Sequence, residues 1–457
     1  MRSTLCSRCR PLAGLTRKQV LRSAAQRQIR CESTSSDVSL GQEQPVAEAP
    51  KKKRNIVFSG IQPTGIPHLG NYLGALRQWK KLQDDVQSSG SGDKLLFSIV
   101  DLHAITMPQD APVLRLRRRE MLAVLLAIGL DPEKGSTIFF QSSIPQHTEL
   151  MWILSCTASM GYLSRMTQWK SKLTMENKQA GINDEAMNRL KLGLFSYPVL
   201  QAADILVHRA THVPVGEDQR QHLEFARECA TNFNHNFKDI LIPPETMTTT
   251  FATRVMSLTN PRNKMSKSTP NHRSRILITA SPSQIRSRIV GAITDNQFTV
   301  SYDPEARPGV ANLLELLSQC GGYSASASDS ASASSYAPLI DEGAEGVRVD
   351  DGDGGRGEGE GEGGGGADGS KGPRYILPWK LAEQYVGKTL KDLKHDVANA
   401  VCSELDGVAD RFDDYLHRKG GKWLDEIAAE GAEVARANAE ATMRQVRYAV
   451  GLSSKPR

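Results

Sequence analysis

From Asn55 onward, short apolar runs alternate with stretches of helical period. Ile56-Val57-Phe58, closed by Ser59-Gly60, predicts a buried strand. Leu69, Tyr72, Leu73, Leu76 and Trp79 follow helical spacing and predict a helix starting near Gly70. Residues 95–100 predict a second strand. Residues 115–129 predict an amphipathic helix with Leu116, Leu122, Leu125 and Leu126 on one side, and residues 137–140 a third strand. Strand, helix, strand, helix, strand is the pattern of an α/β doubly wound parallel sheet, Rossmann-like in class. Residues 147–210 read as mostly helical. Residues 213–216 form a short strand that leads into a helix at Glu217, and residues 254–258 a further short strand before a Lys-rich loop. From Leu377 the period is helical again and predicts a C-terminal α-helical domain.

Two segments break this pattern. Residues 324–335 alternate Ser and Ala, and residues 341–369 are dominated by Gly, Asp and Glu. Such a segment has too little apolar surface to offset its ordering entropy, so it reads as a disordered insertion without catalytic candidates. Residues 1–31 carry Arg2, Arg8, Arg10, Arg17, Lys18, Arg22, Arg27 and Arg30 among Ser and Thr, and the first acidic residue is Glu32. That is transit-peptide composition and favours the mitochondrial matrix; a solvated basic tail is the alternative. The expected divisions are a transit peptide and linker over 1–50 and a Rossmann-like catalytic domain with a helical insertion over 51–260. The Lys-rich loop and the start of a further helical domain span 261–320. The insertion covers 321–372, and the rest of the helical domain 373–457.

Composition narrows the class. The 457 residues are 39% hydrophobic and 24% charged, which suits a globular chain of two or three domains. No apolar run approaches the roughly 18 residues of a membrane span, so no membrane partner is expected. The net charge of +6 says little by itself, but Lys388, Lys391, Lys394, Arg418, Lys419, Lys422, Arg444 and Arg447 gather after the insertion. Basic helices suit a phosphate backbone, although such residues are often only a solvated face. Of the seven cysteines only Cys6 and Cys9 have metal-ligand spacing, and no second pair completes a site, so no metal site is expected.

Candidate chemistry lies in two motifs. Phe58-Ser-Gly-Ile-Gln-Pro-Thr-Gly65 and Pro67-His68-Leu69-Gly70-Asn71 sit at a strand-to-helix junction. Free N–H groups at a helix start attract anions, glycines let a ligand approach the backbone, and His68 and Asn71 add side-chain donors. A tight glycine turn with an incidental His would read the same way. Far downstream, Lys264-Met265-Ser266-Lys267-Ser268 offers two lysines that could hold a leaving pyrophosphate. Alone it would be a solvated loop; both motifs in this order point to activation of a carboxylic acid with ATP.

The pair resembles the HIGH and KMSKS signatures of class I aminoacyl-tRNA synthetases. Residues 58–65, Ile99-Val-Asp-Leu-His-Ala-Ile-Thr106, Ala202-Ala-Asp-Ile-Leu206 and Val213-Pro-Val-Gly-Glu-Asp-Gln219 are similar to the bacterial-type tryptophanyl branch. The resemblance spans roughly 56–318 and, more loosely, 377–452. It implies ATP carried as its Mg2+ complex and contacted by Gln62, Pro63, Thr64, Gly70 and Asn71. Gly216, Glu217, Asp218 and Val255 would hold the adenosine, and Lys264, Met265, Ser266, Lys267 and Ser268 would close over the triphosphate. His68, Asn71, Lys264, Lys267 and Ser268 are the implied catalytic set, and Lys170 and Lys172 match lysines near the phosphates. Asp204 would accept the indole N–H of L-tryptophan, in a pocket lined by Phe58, His103, Tyr197, Gln201 and Gln219. The partners implied are tRNA(Trp), read by the C-terminal helices, and a second copy in a homodimer. Asn71 departs from the HIGH tetrapeptide, and Gln201 stands where many bacterial members have Met.

Indole has one N–H and no acceptor, so a buried acceptor that phenylalanine would leave unpaired gives Asp204 a physical rationale. A helix-capping Asp is the plainer reading. The competing functions are a tyrosine-specific relative, a nucleotidyltransferase with a His-x-Gly-His turn, and a non-catalytic RNA-binding relative. The long lysine loop and the intact motifs argue against the last two.

Overall fold

The computed structural model describes residues 54–171, 188, 190–216, 219–248, 254–267, 269–321 and 376–454. The expected transit segment, the insertion from residue 322 on, Lys172, Glu217, Asp218 and Ser268 lie outside the described residues.

Five strands, β1 (Ile56–Ile61), β2 (Lys94–Ile99), β3 (Ser136–Phe140), β4 (His212–Val215) and β5 (Glu245–Thr248), make one parallel sheet in the order β3-β2-β1-β4-β5. The order reverses between β1 and β4. In such sheets the crevice at the carboxyl ends of those strands is where ligands bind. Residues alternate between two cores, as a strand period of two requires. Val57, Leu95, Phe97 and Ile138 enter one; Phe58, Leu96, Phe139 and Val213 enter the other. Both sides are apolar because both carry helices, which is why the strands read as continuous apolar runs.

Helix α1 starts at Leu69–Asn71, passes through a π-turn at Tyr72–Leu76 and continues over Arg77–Ser89. It is followed by α2 (Ala111–Ala127), α3 (Gln146–Ser155), α4 (Leu192–Val207), α5 (Arg220–Asn236), α6 (Pro282–Val290), α7 (Pro308–Cys320), α8 (Leu390–Glu404), α9 (Val408–His417) and α10 (Lys422–Ala449). Helices α1, α2, α7 and α8 build the first core, and α3, α4 and α5 the second.

Two sequence expectations need correction. Helix α2 begins at Ala111, where Asp110 Oδ1 accepts the Val113 N–H at 3.0 Å, and it is not one-sided. Leu116 is 54% exposed while Met121 to Ala127 are all buried. The second half of the helix is covered by both the sheet and α9, so no polar stripe survives there. Residues 254–258 form no strand; Met256 makes one isolated bridge to Lys264. The fifth strand is Glu245-Thr-Met-Thr, an edge segment whose single neighbour demands no apolar run.

The last helix is fastened to the catalytic sheet. Leu424 enters the first core, and Ala432, Ala435, Ala439, Met443 and Val446 enter the second. Between them α10 crosses the edge strand β3 at Gly431, where a Cβ would run into the Ile138 carbonyl oxygen. A strand edge covered this way cannot template pairing with another chain. Gly431→Ala should therefore destabilise. Alanine gains up to about 1 kcal/mol in helix propensity, but overpacking against immobile backbone costs about 1–3 kcal/mol. A lowered denaturant midpoint is expected; an unchanged or raised one would show that α10 can move off β3.

Candidate active site

The loops after β1, β2, β3 and β4 meet at the carboxyl end of the sheet. Near the end of β1 a Cβ on Gly60 would come 2.9 Å from Val100 Cγ1, and in the loop that follows Gly65 holds φ at 101°, a value glycine adopts freely. His68 then caps α1. Its Nδ1 accepts the Asn71 N–H at 3.3 Å, and Asn71 Oδ1 accepts the His68 N–H at 3.2 Å, a reciprocal capping box. The ring proton of neutral His68 therefore sits on Nε2, and the Asn71 amide keeps its two N–H donors. Burial, then the charges of Lys267, Arg275 and Lys264, lower the His68 pKa to about 4, so the ring is a neutral donor at physiological pH. Gly70 fits because its Cβ position lies 3.2 Å from the His68 ring and 3.3 Å from Val255 Cβ.

The lysine loop lies against this turn. Met265 N–H donates to Val255 O at 3.0 Å and Ser257 N–H to Asn263 O at 2.8 Å, closing a small hairpin. Asn312 of α7 pins it, accepting the Met256 N–H at 3.0 Å and donating to Met256 O at 3.2 Å. Pro67 O accepts the Ile278 N–H at 3.1 Å, and Leu69 N–H donates to Ile276 O at 2.8 Å. These bonds place Lys267 Nζ 2.6 Å from Gly65 O and 3.5 Å from Thr64 Oγ1. Burial and the nearby Arg117 and Arg275 push the Lys267 pKa down to about 8. Lys264 is exposed, Met265 is buried and Ser266 half-buried. Gln62 O accepts the Thr64 N–H at 2.8 Å, Pro63 is buried, and Gly216 O accepts the Gln219 N–H at 3.0 Å where β4 enters α5. Lys170 Nζ stands 5.5 Å from the Trp169 ring centroid.

The expected amino-acid residues form two hydrogen-bonded groups. Asp204 of α4 is 1% exposed. His103 Nε2 donates to its Oδ2 at 2.9 Å, His147 Nδ1 to Oδ1 at 2.6 Å, and Gln141 Nε2 is 2.8 Å from both oxygens. Burial alone would raise this carboxyl, but the hydrogen bonds from His103 and His147 hold it well below the usual carboxylate range. Asp204 is thus not left unpaired without substrate, so the idea that phenylalanine would orphan it needs correcting. A carboxylate offers about four lone-pair sites, and these three groups cover them. In the second group Tyr197 O–H donates to Gln168 Oε1 at 3.1 Å and lies 3.4 Å from His222 Nε2. His222 Nδ1 reaches Gln219 Oε1 at 3.1 Å, and Gln201 Nε2 donates to the same oxygen at 3.1 Å. Phe58 is buried and stacked on His208.

Sequence reasoning missed Gln141, His147, His208, His222, Asn312, Arg117 and Arg275. Gln141 could have been found, because a polar residue directly after a parallel strand faces the ligand crevice. The others come from distant segments with no motif of their own.

The pattern of the family "tRNA synthetases class I (W and Y)" matches residues 50–336. A mitochondrial tryptophan–tRNA ligase of Schizosaccharomyces pombe is 38% identical over 401 residues, covering 87% of this chain and 95% of that one. The mitochondrial tryptophan–tRNA ligase of Saccharomyces cerevisiae is 50% identical over 267 residues, 57% of this chain and 69% of its own. A Campylobacter jejuni tryptophanyl-tRNA synthetase solved with ADP and tryptophan superposes with a TM-score of 0.61 at 26% identity, covering 87% of this chain and all of its own. The sheet order, the reciprocal His68–Asn71 cap and the lysine hairpin laid on it agree with these likenesses: the chain belongs to the class I tRNA synthetases for tryptophan and tyrosine, on their tryptophan–tRNA ligase branch.

Proposed function

We propose that the chain charges tRNA(Trp) with L-tryptophan in the mitochondrial matrix, as a homodimer using ATP carried in as its Mg2+ complex. The reaction is that of an aminoacyl-tRNA synthetase. The tryptophan carboxylate attacks the α-phosphorus of ATP, the bond to the bridging oxygen breaks, and pyrophosphate leaves. A terminal ribose hydroxyl of the tRNA then takes the acyl group from the adenylate and AMP departs. No enzyme nucleophile is required; the chain supplies position and charge.

The observation that carries the reading is the contact of Lys267 with the Thr64–Gly65 turn. It brings the second signature over the first, so one cationic surface faces the triphosphate. His68 Nε2–H and the Asn71 amide would donate to phosphate oxygens, and Gly70 and Val255 would shape the adenosine side together with Gln62, Pro63 and Gly216. The described residues contain no group of three or more acidic, His or Cys side chains fit to hold a metal. Mg2+ would enter on the phosphates and neutralise their charge. Asp204 would take the indole N–H by displacing the shared Gln141 bond, with His103, Tyr197, Gln201 and Gln219 around the ring. For the homodimer, Trp152, Met160 and Leu192 offer apolar surface at 73%, 65% and 76% exposure. For the compartment, the support is the acid-free residues 1–31 and the mitochondrial names of the fungal relatives.

ATP–pyrophosphate exchange across the amino acids tests the assignment, with tryptophan expected as the only efficient substrate; equal exchange with tyrosine would overturn it. Lys267→Ala should lower the activation rate about 100- to 1,000-fold with little change in tryptophan affinity, by analogy with a lost transition-state donor; a near-normal rate would contradict the role. Lys267 must act as a cation, and its pKa is lowered to about 8. Its charge is therefore present below that value and lost as pH rises through it. The kcat/KM for ATP should be level below about pH 8 and fall up to about tenfold per unit above it; a flat profile would remove Lys267 from the chemistry.

A further inference from the structure

The hydrogen-bond network of Asp204 continues beyond the pocket. His147, which donates to Asp204 through Nδ1, has its other nitrogen 3.2 Å from His208 Nε2. His208 Nδ1 lies 2.9 Å from Asn438 Oδ1, on α10. Both imidazoles are fully buried. Phe58 stacks on His208 at 5.8 Å between centroids, and Phe139 meets it edge-on at 5.5 Å. Rings enclosed on their faces and bonded at both nitrogens have a single orientation each.

We propose that His147, His208 and Asn438 are positioning residues that hold the Asp204 carboxylate for the indole N–H, so that the C-terminal helix sets tryptophan specificity through them. This rests on Asp204 being the indole acceptor. The proton count supports it. Burial, then the neighbouring His147, lower the His208 pKa to about 3, so His208 is neutral and carries one N–H. If Asn438 accepts that proton's bond at Nδ1, His208 Nε2 accepts from His147, which then bears both protons beside the Asp204 anion. If the Asn438 amide is turned, its NH2 donates to His208 Nδ1, and His208 Nε2–H donates to a neutral His147. Either way His147 must aim Nδ1–H at Asp204, because an ionised carboxylate only accepts. Removing the polar end of Asn438 leaves a buried ring nitrogen unpaired and frees both rings to turn.

Asn438 also borders a cavity of about 260 Å³ that Arg54, Arg209, Thr211 and Gln445 help to line, so a changed side chain there meets space. The test is pyrophosphate exchange and thermal unfolding on the full chain. Asn438→Leu should raise the tryptophan KM about three- to tenfold and narrow the preference over phenylalanine by a similar factor, the range expected for one lost buried hydrogen bond. The ATP KM should stay at its wild-type value, and the melting temperature should fall by only a few degrees, the cost of one unpaired buried nitrogen. Gln445→Leu, in the same cavity wall, should change neither the tryptophan KM nor the preference. If Asn438→Leu proves unstable, Asn438→Ala repeats the removal with less bulk. Wild-type tryptophan KM and selectivity in the removal variants would overturn the proposal, as would equal losses in ATP KM and stability. Asp204→Ala run alongside separates the two levels: if it lowers selectivity and the Asn438 variants do not, only the positioning role fails; if it leaves selectivity intact, the indole-acceptor reading fails and takes the proposal with it.

Discussion

A carboxylate taken out of water must find partners or lose its charge. Asp204 is buried in the crevice of the sheet and stays ionised because His103, Gln141 and His147 all donate to it. Those donors come from the segment after β2, the end of β3 and the start of α3, so one charge on α4 ties three other segments together. Gln141 is fixed from its other side as well, since its Oε1 accepts the Leu102 N–H at 3.0 Å. The carboxylate is therefore fully engaged by the chain's own donors. Under the proposed function an indole N–H would compete for an acceptor already in use, and selectivity would become a difference between two satisfied states.

The nucleotide side of the crevice is built with the opposite sign. Lys264, Lys267, Arg275 and Arg117 gather where the lysine hairpin meets the β1 loop. Burial, then Arg117 and Arg275, lowers the Lys267 pKa, and burial, then Lys267, Arg275 and Lys264, keeps His68 neutral. Such a cluster is tolerable only with an anion in view, and a triphosphate supplies it. What holds the cations together is uncharged: backbone bonds of the 255–265 hairpin, the clasp of Asn312 on Met256, and the strand-like pairing of His68 with Leu277.

Helix α10 connects these local arrangements to the far end of the chain. It belongs by sequence to the basic C-terminal stretch, yet it lies across β3 and reaches the Asp204 network through Asn438. Helix α8 does the same for α1: Tyr72 O–H donates to Glu404 Oε1 at 2.9 Å, just after the His68–Asn71 cap. The segment expected to serve tRNA thus shares its packing with the segment that activates the amino acid.

The alternation of apolar runs and helical spacing was enough to place β1, β2, β3, β4 and α1, because strands buried on both faces admit few polar residues. The two signatures were legible for a related reason, since glycines at a strand-to-helix turn and paired lysines are demanded by local geometry and charge; Asp204 was singled out only through the family resemblance of its segment. The polar edge strand β5, the fully covered half of α2, and the partners Gln141, His147, His208, Asn312 and Asn438 were not legible in this way. Each depends on which distant surface lies beside it, and a single His or Asn carries the same local signal whether it faces water or a buried carboxylate. The sequence by itself determined a parallel sheet whose strand-to-helix turn and lysine loop suit a polyanion, and the family resemblance added the aromatic amino acid. Only the tertiary structure decided which donors hold the acceptor for that amino acid, because a hydrogen-bond partner is chosen by distance in space, across 230 residues in the case of His208 and Asn438.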